Sequence, residues 1–224
     1  MSGQIENTTN IICEKNDLSA YTHTQTDQVD LSRLLELGSI GAWHAATSLS
    51  EVLQQQVVID IPKIHTIPPH LLPQHYQRHE APTTAVYMQI ANNECDILLI
   101  FDCEEAKKIA AMMTMVPSVD ELDPVMEESA IQELANILIG SFLAAISDFT
   151  GLQLIPTTPQ RVVDTFDAII DNFVVKHSLI SDEVLIFDTH FKRAGEKANL
   201  ILMMFPSPQL QEQLVQQSKK QMEL

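Results

Sequence analysis

Three residues of the first half of this 224-residue chain, Ser32, Glu36 and Pro62, recur 97 residues later as Ser129, Glu133 and Pro159. Both copies read Ser-x3-Glu with a proline 26 residues beyond the glutamate. Each sits in an amphipathic helical pattern followed by a β-branched run. This is the mark of an internal duplication, and it restricts the chain to folds built from two like halves. The second copy is the clearer one. Within ESAIQELANILIGSFLAAISDF, from Glu128 to Phe149, Ile131, Leu134, Ile137, Leu138, Phe142, Ala145 and Ile146 recur at helical spacing and predict a buried stripe. Glu133 and Asn136, three apart, project together from the other face. Taken alone, Glu-x-x-Asn is short enough to be a solvated charge beside a stray amide on a core helix. Asn136 is answered in the first copy by Ser39, the one position where the two motifs disagree.

Ser129, Glu133, Asn136 and Pro159 match the pattern Asp/Ser-x3-Glu-x2-Asn-x22-Pro, and on it the chain resembles the CheC/CheX/FliY phosphatases of chemotaxis. Ser32, Glu36, Ser39 and Pro62 match it except at the asparagine, and LLELGSIGAWHAATSLSEVL is similar to the first helix of CheC. The resemblance covers nearly all of the chain after about residue 29. It implies one α+β domain of two pseudo-symmetric halves, each a helix plus antiparallel strands, forming one sheet with helices packed on it. It also implies a substrate, the aspartyl-phosphate of a CheY-type response regulator in two-component signalling. Asn136 would align the attacking water and Glu133 would pair with the regulator's active-site lysine. Glu36 and Ser39 would form a degenerate second site, with Ser32, Pro62, Ser129 and Pro159 as motif support. No cofactor of the protein's own is implied, because the Mg2+ is carried by the regulator. The different class of function is an adaptor or flagellar-switch component that binds CheY-like or CheD-like partners with little turnover.

The residues themselves agree with a positioning role. A carboxamide does not titrate, so Glu133 and Asn136 are an unsuitable pair for covalent or paired acid–base catalysis. An amide can accept one hydrogen bond from a water and donate another, and positioning is a large part of phosphoryl-transfer catalysis. Thirteen basic against thirty acidic residues give a formal charge of −17, which argues against nucleic acid as a partner. Cys13, Cys95 and Cys103 are an odd number without zinc-type spacing and fit reduced thiols in a cytoplasmic protein. No apolar run is read as long enough to span a bilayer, and the N-terminus lacks a signal-peptide pattern, so no membrane insertion is expected.

Residues 1–28 are polar and are expected to form a flexible tail before a single domain, 29–224, made of repeats 29–118 and 126–224. A first helix is predicted from Asp30 to about Leu53 and then a strand over VVIDIPKIHTI, with Pro62 marking an edge or bulge. PPHLLPQHYQRHEAP is expected to be a loop. His65, His70, His75 and His79 in and before it have no cysteine or carboxylate spacing to make a metal site, so none is expected. Hairpins are predicted over TTAVYMQIA and CDILLIFD, with a turn at Asn92-Asn93, and over EVLIFDTHFK and ANLILMMFPS, with a turn at residues 194–196. EEAKKIAAMMTM reads as a helix whose Met112, Met113 and Met115 serve core packing, 117–124 as a linker, and LQLIPTTPQRVV as a strand. DTFDAIIDNFVVKHS suits helix or strand, and the closing helix starts at Pro208. The last strands align at an offset near 103 or 104, so the second half carries a short insertion.

Overall fold

The computed structural model describes residues 25–60, 62–76, 80–90, 95–179, 184–193 and 200–222. Among them the strands form a single antiparallel sheet that runs through both halves. In chain order the elements are α1 (Gln25–Leu53), β1 (Val57–Ile59), β2 (Lys63–Ile67), α2 (Leu72–Tyr76), β3 (Pro82–Ile90), β4 (Cys95–Asp102) and α3 (Cys103–Met113). Then come α4 (Pro124–Thr150), β5 (Gln160–Thr165), α5 (Phe166–Ser178), β6 (Val184–Arg193), β7 (Leu200–Pro206) and α6 (Pro208–Met222). The sheet order is β1-β6-β7-β4-β3-β5, with β2 also on β6, so the middle pair β4–β7 joins one half to the other.

Strand alternation sorts the core into two layers. From β4, Cys95, Ile97, Leu99 and Phe101 point to the side covered by α1, α3, α4 and α6. Leu98 and Ile100 point to the opposite side, where α5 lays down Phe166, Ile169, Ile170 and Phe173. Because helices cover both faces, the central strands are buried throughout and read as continuous apolar runs. The α+β expectation holds.

The two motif helices pack directly against each other. Their close approach depends on small residues in α1: a Cβ on Gly41 would stand 2.7 Å from the Phe142 ring of α4, and one on Gly38 would stand 2.8 Å from Phe187 of β6. Ser48 and Ser141 share a hydrogen bond of 2.7 Å across the same seam. By length and composition α4 is apolar enough to cross a membrane, contrary to the expectation that no run approaches that length. Its apolar face is nevertheless occupied inside the protein, with Leu134, Leu138, Phe142 and Ile146 buried against α1 and the sheet.

Several elements differ from the sequence reading. Helix α1 starts at Gln25, so residues 25–28 belong to its first turn and not to a tail; residues 1–24 lie outside the described residues. The run after α1 is two short strands, both on β6, with Pro62 in the break between them where its missing N–H costs nothing to the ladder. The proline-rich segment is not wholly a loop. Pro69 opens a 3-10 turn, Pro69–Leu71, and α2 follows, since prolines are tolerated in first helical turns. The linker at 117–124 contains a 3-10 turn, Val119–Glu121, and its last residue, Pro124, already begins α4. Residues 151–159 are irregular and the strand after α4 begins only at Gln160. The ambiguous DTFDAIIDNFVVKHS ends β5 and then forms α5, capped by the Thr165 hydroxyl accepting from the Ala168 N–H. Helix α5 has 13 residues where α2 has five, so the two halves differ in length before their last hairpins. Met112 and Met113 pack on the core as expected, but Met115 is 87% exposed. Both predicted hairpins form; their turns at 92–93 and 194–196 lie outside the described residues.

Candidate functional site

Helix α4 is bounded at both ends by its own sequence. The Asp123 carboxylate accepts from the N–H groups of Val125 and Met126 at 2.8 and 3.3 Å, Pro124 takes the first helical position, and Gly151 closes the helix with φ of 74°. One turn in, Ser129, Glu133 and Asn136 all stand exposed, while Ala130, Ile131, Leu134 and Ala135 between them are buried. The three polar residues line a cleft of about 390 Å3 whose other wall is Pro156, Thr157, Thr158 and Pro159. All four motif residues of the second copy are therefore gathered in one open site.

The irregular wall is pinned. Pro156 bridges to Ile90 of β3, the Thr157 N–H donates to the Gln89 carbonyl at 2.7 Å, and the Gln89 N–H donates to the Thr157 hydroxyl at 3.0 Å. The Leu154 N–H donates to the Ser147 hydroxyl of α4 at 3.3 Å. Arg161 of β5 forms a hydrogen-bonded ion pair with Glu127 in the first turn of α4 and draws the strand onto the helix. The proline spacing of the motif thus measures the length of chain needed to leave α4, turn, and return past Ser129. Neither Glu133 nor Asn136 is held by a hydrogen bond or ion pair among the described residues, so both can act on a partner.

The first copy is arranged differently. Glu36 and Ser32 are exposed on α1 and Pro62 is buried. Ser39 is half-buried, and its hydroxyl donates to the Leu35 carbonyl one turn back at 2.8 Å. That hydroxyl proton is consumed within the helix. One turn further along the same face Trp43 is 63% exposed, where α4 has Gly140, at which a Cβ would meet nothing within 4 Å. The face beyond Asn136 is therefore flat and the face beyond Ser39 carries an indole.

Two of the histidines lie together. His65 and His75 stack edge to face at 4.5 Å between centroids, and His65 lies 3.7 Å from Asp188. Burial is the main cause that lowers the basicity of both imidazoles. His70 is exposed, His79 lies outside the described residues, and no metal-capable group of three gathers among the described ones. Cys95 and Cys103 are free thiols, and burial pushes the Cys95 thiol up; Cys13 lies outside the described residues.

One cluster went unmarked in the sequence. Asp96 of β4 is buried on the α5 side and accepts hydrogen bonds from Tyr87 at 2.7 Å, Gln89 at 2.9 Å and Lys176 at 2.7 Å, with His177 at 2.9 Å. Asp96, set directly before the apolar run of CDILLIFD, is the only sign of it.

Fold and site are both similar to those of known chemotaxis and flagellar-switch proteins. Residues 126–163, a segment that holds the whole motif from Ser129 to Pro159, match the CheC-like family. Over 195 residues, 85% of this chain and 92% of the relative, the sequence is 26% identical to the CheY-P phosphatase CheC of Bacillus subtilis (strain 168). In fold the chain is similar to FliY of Thermotoga maritima, with a TM-score of 0.66 and 18% identity over 90% of this chain and 100% of that one. It is also similar to the FliM middle domain of H. pylori, with a TM-score of 0.60 and 8% identity over 85% and 98% of the two chains.

Proposed function

We propose that the protein hydrolyses the aspartyl-phosphate of a CheY-type response regulator, using the cleft on α4. The observation that carries this reading is the gathering of Ser129, Glu133, Asn136 and Pro159 around one open cleft with the carboxylate and amide unengaged. The 26% identity to a CheY-P phosphatase supports the substrate class. Asn136 reaches into the regulator's phosphorylation pocket and orients a water, accepting from it through Oδ1 and leaving its lone pair aimed at phosphorus. The water oxygen forms the new P–O bond as the bond to the aspartyl oxygen breaks. The aspartate leaves as a carboxylate, and the water's protons depart with inorganic phosphate. Glu133 pairs with the regulator's lysine and sets the register. The divalent ion belongs to the substrate, so this chain contributes geometry alone.

The test is the loss of labelled phosphate from a phosphorylated CheY-type regulator with and without substoichiometric protein. A faster, catalytic loss is expected, and an unchanged rate overturns the reading. Glu133→Ala should act mainly on binding, raising KM about tenfold while kcat changes less, as expected for one charged docking contact. An unchanged KM removes the docking role.

A second reading, an adaptor or flagellar-switch component that binds CheY-like or CheD-like partners without turnover, draws on the first face. There Glu36 is exposed, but the Ser39 hydroxyl is spent on Leu35 and Trp43 stands where α4 is flat. In an Asn136→Ala background, Ser39→Asn together with Trp43→Gly should restore dephosphorylation at least about tenfold over Asn136→Ala alone, because it rebuilds both the amide and the flat face. Ser39→Asn without the second change should restore less. If the combined variant binds the regulator and still hydrolyses nothing, the first face is a docking surface only.

A further inference from the structure

Next to the α4 cleft lies a second depression of about 390 Å3, walled by Met113, Thr114, Val125, Met126 and Ala130. It shares Ser129 and Glu133 with the cleft, so the two form one continuous surface. Two of its apolar side chains stand open, Val125 at 71% and Met126 at 44%, and Met115, the residue after the Thr114 wall, is 87% exposed.

Met115 bears most directly on what this surface is for. It follows α3 with φ of 57°, in the left-handed region, while the Thr114 N–H donates to Ala110 and the Val116 N–H to Ala111, both at 3.0 Å. This is the position after a helix where glycine is favoured, since any Cβ is strained there. Met115 gives nothing back to the core at 87% exposure, so the fold alone would be served better by glycine. A flexible thioether at that position, one residue after Thr114 of the groove wall, matches the chemistry of an adaptable contact surface.

Resting on the phosphatase reading above, we propose that this groove takes an apolar surface of the same phosphorylated regulator, bordering its phosphorylation pocket. A protein whose pocket reaches Glu133 and Asn136 borders the groove, because Glu133 lines both depressions. Charge also favours an apolar contact. With a net charge of −17, this chain gains no long-range attraction for a pocket that carries a phosphate and carboxylates, so burial of apolar surface must supply affinity that electrostatics does not.

The test uses the full-length protein and a 32P-labelled CheY-type regulator. Met115→Gly should leave the melting temperature unchanged or raised, yet increase KM about fivefold or more with kcat within about twofold. Val125→Ser should raise KM in the same way. Wild-type KM should change by no more than about twofold as sodium chloride is added, because only the exposed Glu133 pair is screened, and a steeper rise overturns the apolar contact. If the wild type hydrolyses the labelled phosphate and both variants keep its KM, the groove proposal is overturned while the phosphatase reading stands. If the wild type leaves the phosphate in place, both fall. If sedimentation shows a wild-type dimer that Met115→Gly dissociates with no change in KM, the surface belongs to self-association and the proposal is likewise overturned.

Discussion

Asn136→Ala is expected to lower the phosphatase rate by about a hundredfold or more, the usual cost of losing one preorganised positioning group. The change falls on kcat, because the amide acts on the water and not on the docked surfaces. Stability should not move with it. Asn136 is exposed in the interior of α4, and alanine has the higher helix propensity there. The measurement is single-turnover loss of labelled phosphate beside a thermal melt. A variant that folds as wild type and hydrolyses as wild type ends the assignment.

Asp96→Ala is expected to cost about 3 kcal/mol of stability and to lower the melting temperature by roughly 6–12 °C. The carboxylate is 2% exposed and is met by Tyr87, Gln89, Lys176 and His177, so its removal strands several donors at once beneath α5. Burial alone would raise the Asp96 pKa, but the hydrogen bonds from His177, Lys176, Gln89 and Tyr87 outweigh it and hold the group well below the ordinary carboxylate range. A depressed folded-state pKa contributes stability above the unfolded value near 4 and loses it as pH falls further. Wild type should therefore weaken steeply below about pH 4, and Asp96→Asn should flatten that limb. An Asp96→Ala melt equal to wild type at neutral pH would show that the cluster contributes nothing. The cluster also bears on the cleft, since the Gln89 side chain bonds Asp96 while its backbone clamps Thr157.

Much of this architecture was legible in the residues. The stripe from Ile131 to Ile146 specified α4, and the apolar runs CDILLIFD and LILMMFP read as hairpin strands. The 97-residue match placed Ser129, Glu133 and Pro159 in one motif, the family pattern added Asn136, and the structure brings all four to one cleft. What escaped was set by tertiary context. Prolines at 68, 69 and 73 look like breakers, yet Pro69 and Pro73 sit in first turns where proline fits. LQLIPTTPQ has strand composition, but it is spent on carrying the chain round the cleft. Asp96 gave no pattern because its partners come from β3 and from α5, up to 81 residues away. Ser39 read only as the mismatched residue of a degenerate site; the 2.8 Å bond to Leu35 shows that its proton is also taken.

The sheet ends in two unlike borders. On one side β1 and β2 are split around Pro62, and Lys63 and the Lys192–Asp60 ion pair put charge along the margin. On the other, β5 runs six residues without a break, paired only to β3 among the described residues, with Val162 and Val163 exposed at 41% and 52%. Interrupted, charged margins resist the addition of a foreign strand, whereas an even, valine-bearing one invites it. The two borders thus differ in continuity, and the unbroken one begins at the residue after Pro159.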